Sequence, residues 1–246
     1  MSHIPTIDQL RSLRLNGMAD ALSHQLSTSV YSDLGFEQRI QMLVESELSH
    51  RDTQRYDRIM KNAKLKVVAA PEHFDFRAGR GLDKSVVAYL LTCSWINNSR
   101  NVLLTGPTGT GKTWVACALA VQAARYGHTV MYRRTARLLE ELAIAHEDGS
   151  ISKLRNALAR TKLLILDDFG LVALTPRGRA DLLEVLDDRV STGSTIVAGQ
   201  MPVKEWHAFI NDPALADAIL DRLIYSSVKL ELHGESMRKL KARSAQ

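Results

Sequence analysis

Apolar positions divide the chain into two regimes. From Thr6 to about Lys66 they recur at helical spacing, and no segment alternates like a strand. Ile7, Leu10, Leu13, Leu15, Met18 and Leu22 form a first stripe, weakened only by Gly17. A turn at Asp33-Leu34-Gly35 follows, and then a second stripe of Phe36, Ile40, Leu43, Val44 and Leu48. The chain runs on through a basic stretch, residues 51–66, and breaks at Ala69-Ala70-Pro71. That break predicts a small all-helical domain over 1–68 and a second domain over 69–246.

Beyond the break, short apolar runs alternate with longer helical segments. This predicts strands at Asn101–Thr105, Thr129–Tyr132, Leu163–Asp167, Thr195–Gly199 and Val228–Leu232. Helices are expected at Lys112–Arg125, Ala136–Glu147, Ser152–Arg160, Arg179–Val190 and Asn211–Leu223. Parallel strands need such crossovers, and their right-handedness gives an α/β wound sheet covered on both faces.

Gly106-Pro107-Thr108-Gly109-Thr110-Gly111-Lys112-Thr113 matches GxxxxGK[ST] between an apolar strand and an alanine-rich helix. Glycines let backbone N–H groups wrap phosphate oxygens, and the helix that follows turns its positive end to the same anion. Lys112 is the point charge for the β and γ phosphates of ATP, and the Thr113 hydroxyl is a ligand for Mg²⁺. Leu163-Leu164-Ile165-Leu166 delivers Asp167 and Asp168 at a strand end, where open α/β sheets bind ligands. Asp167 is assigned to the Mg²⁺ and Asp168 to the attacking water. Gln200, at the end of a further strand, is a candidate sensor of the γ-phosphate, or a plain turn residue before Met201-Pro202. Arg222 closes a helix and is a candidate for the nucleotide of a neighbouring subunit, or a surface partner of Asp221 or Asp217. Arg238 is a candidate nucleotide contact within the chain, or a solvated arginine.

Bulk composition changes little. The net charge of +5 is compatible with an anionic partner, and no apolar run is long enough to span a bilayer. Cys93 and Cys117 have no metal-binding spacing and read as reduced core thiols of a cytoplasmic protein. The distribution of charge says more. Residues 51–66 hold six basic and two acidic side chains, a net +4. Arg51, Arg55, Arg58 and Lys66 fall within roughly 80° if one helix continues through them. With Lys61 and Lys64 they form a candidate stripe for DNA phosphates, against the alternative of a solvated or salt-bridged face. Arg133, Arg134 and Arg137 form a second basic cluster. Aromatic residues are sparse and do not interleave with these runs, which favours duplex over single-stranded nucleic acid.

Together GPTGTGKT, LLILDDFGL, TIVAGQMPVKEWH, DPALADAILDRL and HGESMRK resemble the IstB-like family of AAA+ transposition helpers, and the helical N-terminal part resembles that family's small domain. The resemblance implies a five-stranded AAA+ sheet, with the Gln200 strand between those of the two phosphate-site motifs. It further implies ATP and Mg²⁺ as cofactors, ATP-dependent homo-oligomers on duplex DNA, and recruitment of an IstA-type transposase, with no membrane role. Related DnaC-type helicase loaders supply the alternative function. Asp168 departs from the wider AAA+ pattern, which has Glu there; the shorter side chain implies slower hydrolysis.

Overall fold

The computed structural model describes residues 4–76, 80–237 and 239. It divides into two compact units, Met1–Arg58 and Ile59–Gln246. The division falls ten residues before the expected boundary at 68/69. The reason is local: Ile59, Ala63 and Ala69 are buried in the second unit, so the end of the long helix belongs to it.

In the first unit, α1 (Ile4–Ser12) and α2 (Asn16–Ser27) precede α3 (Phe36–Ala63), whose last turn lies in the second unit. Gly17 is the crossing point of α2 and α3. A Cβ there would stand 2.6 Å from the Ser46 carbonyl oxygen and 2.7 Å from Glu47 Cα, closer than real packing allows. The Ser46 hydroxyl donates to the Gly17 carbonyl at 3.0 Å, and the Met18 N–H donates to Glu47 at 3.2 Å. Farther along, Gln25 Nε2 donates to the Arg39 carbonyl at 3.1 Å. The pairings run in reverse order, so α2 and α3 are antiparallel. The weak point of the first stripe is thus the residue that lets the helices touch. The second stripe is not a core: Leu43 is buried, but Phe36, Ile40, Val44 and Leu48 are exposed. The face of α3 turned to α2 is instead occupied by small and hydrogen-bonded groups. Burial opposes the charge of Glu47, yet bonds from Arg51 and from the Met18 and Gly17 amides hold its carboxyl below the usual range.

The second unit opens with α4 (Lys84–Leu91) and α5 (Ser94–Asn97), which no pattern announced. It continues with β1 (Asn101–Thr105), α6 (Lys112–Arg125), β2 (Val130–Arg134), α7 (Thr135–Glu147), α8 (Ile151–Arg160), β3 (Leu163–Phe169), α9 (Pro176–Asp187), β4 (Ser194–Gly199), α10 (Trp206–Ile210), α11 (Pro213–Ile224) and β5 (Ser227–Glu231). The strands form one parallel sheet in the order β2-β3-β4-β1-β5, so β4 lies between the strands carrying the two phosphate-site motifs. Covered on both faces, β1 and β4 are buried along their whole length, which is why they read as unbroken apolar runs. Leu103, Leu164, Leu166 and Val197 meet Leu138, Leu182, Trp206, Ile219 and their neighbours from α7, α9, α10 and α11. The alternate positions, Val102, Leu104 and Ile165, face the other way, where the alanines of α6 allow close approach to the sheet. Among the described residues no helix is long and apolar enough to cross a membrane.

Candidate nucleotide site

The loop from Gly106 to Gly111 joins the C-terminal end of β1 to the N-terminus of α6. Its glycines are dictated by geometry. Gly106 has φ +133°, and a Cβ there would lie 2.0 Å from the Leu232 carbonyl oxygen; Gly109 has φ +85°, with Ser236 Oγ 2.3 Å from its Cβ position. Lys112 is buried, and its ammonium donates to the carbonyls of Gly106 at 2.7 Å and Pro107 at 2.8 Å. Burial lowers its pKa, and Asp167 and Asp168 oppose that shift. Thr110 is buried, its hydroxyl on the Pro107 carbonyl at 2.9 Å.

The Thr113 hydroxyl donates to Asp167 Oδ2 at 2.9 Å. The two groups expected to share Mg²⁺ are therefore adjacent. Asp167 is only 2% exposed and also accepts from the Tyr132 hydroxyl at 2.6 Å. Burial, then the bond to Asp167, raises the Tyr132 phenol above its ordinary range. The Thr135 hydroxyl donates to the Asp167 main-chain carbonyl at 3.0 Å, fixing the strand end. Asp168 adopts φ +57°, a left-handed conformation that a non-glycine residue occupies at some cost. Its carboxylate pairs with Arg134 Nε at 2.8 Å and Lys66 Nζ at 3.6 Å, and Lys66 also stands 3.7 Å from Asp167. An open cavity of about 830 Å³ is lined by Thr108, Gly109, Gly111, Lys112, Thr113, Asp167, Asp168 and Gln200 from the expected set.

Other expected residues lie elsewhere. Arg222 sits at the opposite end of the sheet: Asn101, at the start of β1, donates to the Arg222 carbonyl at 2.8 Å. Its guanidinium bonds Asp187 at 2.8 Å and the Ala218 carbonyl at 3.0 Å, with Asp221 at 3.9 Å. Arg238 lies outside the described residues. The basic stripe is shorter than expected. Helix α3 stops at Ala63 and Lys64 has φ +51°, so Lys66 leaves the row and pairs with Asp167 and Asp168. Arg51, Arg55, Arg58, Lys61 and Lys64 are exposed, Arg51 paired with Glu47 at 2.7 Å. In the second cluster Arg133 pairs with Glu141 at 3.0 Å, and Arg137 with Glu140 at 3.5 Å; Arg134 belongs to Asp168.

Three contributors escaped the sequence. Tyr132 and Thr135 follow from β2 lying beside β3, with Arg134 opposite Asp167 in the register; drawing that strand order was the available signal. Arg80 lines the cavity, and its guanidinium donates to the Thr110 carbonyl at 2.7 Å and pairs with Asp75 at 3.1 Å. It lies in an aperiodic segment that carried no signal.

Residues 8–245 match the family described as IstB-like ATP binding protein. The chain is similar to the insertion sequence ATP-binding protein y4pL of Sinorhizobium fredii, with 41% identity over 98% of both chains. It is also similar to an IS1162 insertion sequence ATP-binding protein of Pseudomonas fluorescens, 50% identical over 80% of this chain and 86% of that one. Among solved structures, AMPPCP-bound DnaA from Aquifex aeolicus shares the fold with a TM-score of 0.60 at 19% identity, covering 74% of this chain and 56% of that one. The DnaC helicase loader does so at 0.54 and 15%, covering 67% and 96%.

Proposed function

Because the chain belongs to the IstB-like ATP-binding protein family, we propose that it hydrolyses ATP, assembles with ATP on duplex DNA, and recruits and stimulates the IstA-type transposase of an insertion sequence. The observation that carries the reading is the pair Thr113–Asp167 beside a loop whose glycines leave room for nothing larger. A hydroxyl and a buried carboxylate on one side, with a lysine ammonium on the other, suit a magnesium-bound triphosphate. Thr113 and Asp167 are the residues to hold the ion, which when bound neutralises phosphate charge. Lys112 meets the phosphates. Asp168 and Gln200 line the same cavity, a carboxylate to orient water and an amide able to donate and accept.

Arg222, remote from this cavity within the chain, acts on the nucleotide of a neighbouring subunit. That role explains why an arginine at the far end of the sheet belongs to the chemistry; such a residue is worth about 10³–10⁵ in rate. DNA is held through phosphates by Arg51, Arg55, Arg58, Lys61 and Lys64, with Arg133 and Arg137 as a second contact.

The test is particle size on a DNA duplex with ATP, ADP or a non-hydrolysable analogue. Large assemblies with ATP support the reading, and a monomer in every state overturns it. Mixing Lys112→Ala with Arg222→Ala chains tests the shared site, since one supplies the arginine and the other the pocket. Recovered hydrolysis is expected, and its absence removes Arg222 from the mechanism. Helicase loading is the second reading, supported by the fold likeness to the DnaC loader; co-purification with a hexameric helicase instead of a transposase would establish it.

A further inference from the structure

We propose that Arg80 is a positioning residue for the phosphate loop: it fixes the peptide between Thr110 and Gly111 so that the cradle exists before nucleotide arrives. The inference rests on the nucleotide-site reading above and goes beyond the loop's own motif.

A backbone cradle for an anion works only if consecutive N–H groups point inward and the carbonyls are satisfied elsewhere. Five of the loop's carbonyls have partners, that of Gly111 being the Val115 N–H at 2.9 Å inside the helix. Those of Gly106 and Pro107 accept from Lys112. That of Gly109 accepts from the Met237 N–H at 2.9 Å. That of Thr110 accepts from Arg80 Nη2 at 2.7 Å. In a trans peptide the carbonyl and the following N–H point in opposite directions. Holding the Thr110 oxygen against Arg80 therefore turns the Gly111 N–H away from the guanidinium and towards the phosphate side.

Arg80 is itself held. Its other terminal nitrogen, Nη1, bonds Asp75 Oδ2 at 3.1 Å, and only 12% of its side chain is exposed. Its main-chain carbonyl accepts from the His233 N–H at 3.1 Å. Beside it Gly81, at φ +72°, lies so close to the Glu231 carbonyl oxygen that a Cβ would stand 2.0 Å away. The guanidinium thus spans two fixed acceptors, a task for a planar fork that a lysine ammonium performs only in part. A side chain added at Gly111 would itself meet Arg80 Nη2 at 3.1 Å, so the loop and the arginine are fitted to each other.

The experiment titrates full-length Arg80→Ala, Arg80→Lys and parent protein with fluorescent ATP and ADP analogues, and measures kcat and KM for ATP. A hydrogen bond from a charged donor is worth roughly tenfold to a hundredfold in an equilibrium constant. Arg80→Ala is therefore expected to weaken ATP and ADP by the same factor, about tenfold or more, with Arg80→Lys in between. Full binding amplitude and a kcat within about threefold of the parent are expected, because the loss lies in binding. Unchanged affinity overturns the proposal. So does a loss much larger for ATP than for ADP, which would make the guanidinium a direct γ-phosphate contact. A reduced amplitude at unchanged affinity also overturns it, since that is misfolding of a fraction; should Arg80→Ala not fold, the lysine variant is read by the same criteria. Lys112→Ala runs alongside: if it binds ATP like the parent, the nucleotide site itself is wrong, whereas its loss with Arg80→Ala unaffected removes only this inference.

Discussion

Replacing Tyr132 by Phe removes one oxygen atom from beside Asp167 in the candidate nucleotide site and leaves the ring in place. The hydroxyl donates to Asp167 Oδ2 at 2.6 Å, and both residues are buried. Afterwards that oxygen keeps the Thr113 hydroxyl at 2.9 Å and the more distant Lys66 ammonium at 3.7 Å. A hydrogen bond to a buried carboxylate contributes about 1.5–3 kcal/mol, and the retained ring creates no large cavity. For a chain of this size the loss corresponds to a melting-point drop of roughly 3–12 °C. All three tryptophans, Trp95, Trp114 and Trp206, lie in the second unit, so their fluorescence follows the unfolding of that unit alone. The effect has a pH signature. Because the folded state raises the phenol's pKa, the parent's stabilisation is whole below the unfolded tyrosine value of about 10 and is lost as pH climbs above it. Tyr132→Phe lacks that term, so its deficit should be constant from about pH 7 to 9 and shrink above 10. A variant melting within about 1 °C of the parent, or a deficit that ignores alkali, refutes the role of this donor.

Other outcomes follow from single contacts. Asp168→Glu is expected to raise the hydrolysis rate by lengthening the arm that carries the carboxylate; an unchanged rate, or a motor-like rate in the parent, counts against that account. Replacing Arg51, Arg55 and Arg58 by Ala should weaken duplex binding and lower the salt slope by up to about 3, one per lost phosphate contact; no movement in either makes the stripe structural. Gly17→Ala should destabilise the first unit by about 1–3 kcal/mol through overpacking against Ser46 and Glu47, seen as faster amide exchange in α2 with α6 unaffected. Burial pushes the Cys93 thiol up to about 11 and raises that of Cys117 as well. Both should resist thiol reagents until the protein unfolds, and their contribution to stability should fall as pH rises beyond about 9; rapid labelling of native protein would contradict this.

Legibility varied with the kind of signal. Helix α6 and strand β1 were readable to the residue, because one is bounded by the glycine loop and the other is buried on both faces. Strands β2 and β3 each run two residues past their expected ends: β2 through Arg133 and Arg134, which pair with Leu166 and Asp167, and β3 across a register irregularity at Asp168 to Phe169, which pairs with Gly199. Helix α9 begins three residues earlier than expected, since Thr175 caps it and Pro176 takes its first position, a start signal independent of apolar period. The stripe on α3 misled for the opposite reason. Its period was right, but the partner helix presents Gly17 to Ser46 and Glu47, so contact falls on a small residue and four of the large ones are exposed. In the site, Thr113 and Asp167 were legible because their spacing in the sheet is built into the motifs. Arg80 and Tyr132 were not, being set by register and by an irregular segment.

The glycine loop lies in the first half of the chain, yet it leans on Leu232, Ser236 and Met237, more than 120 residues downstream. During synthesis its backbone emerges long before the strand and turn that brace it. A ribosome-bound fragment ending short of β5 should hold no nucleotide, and competence arrives late and in one step. ATP capture thereby waits on completion of the second unit.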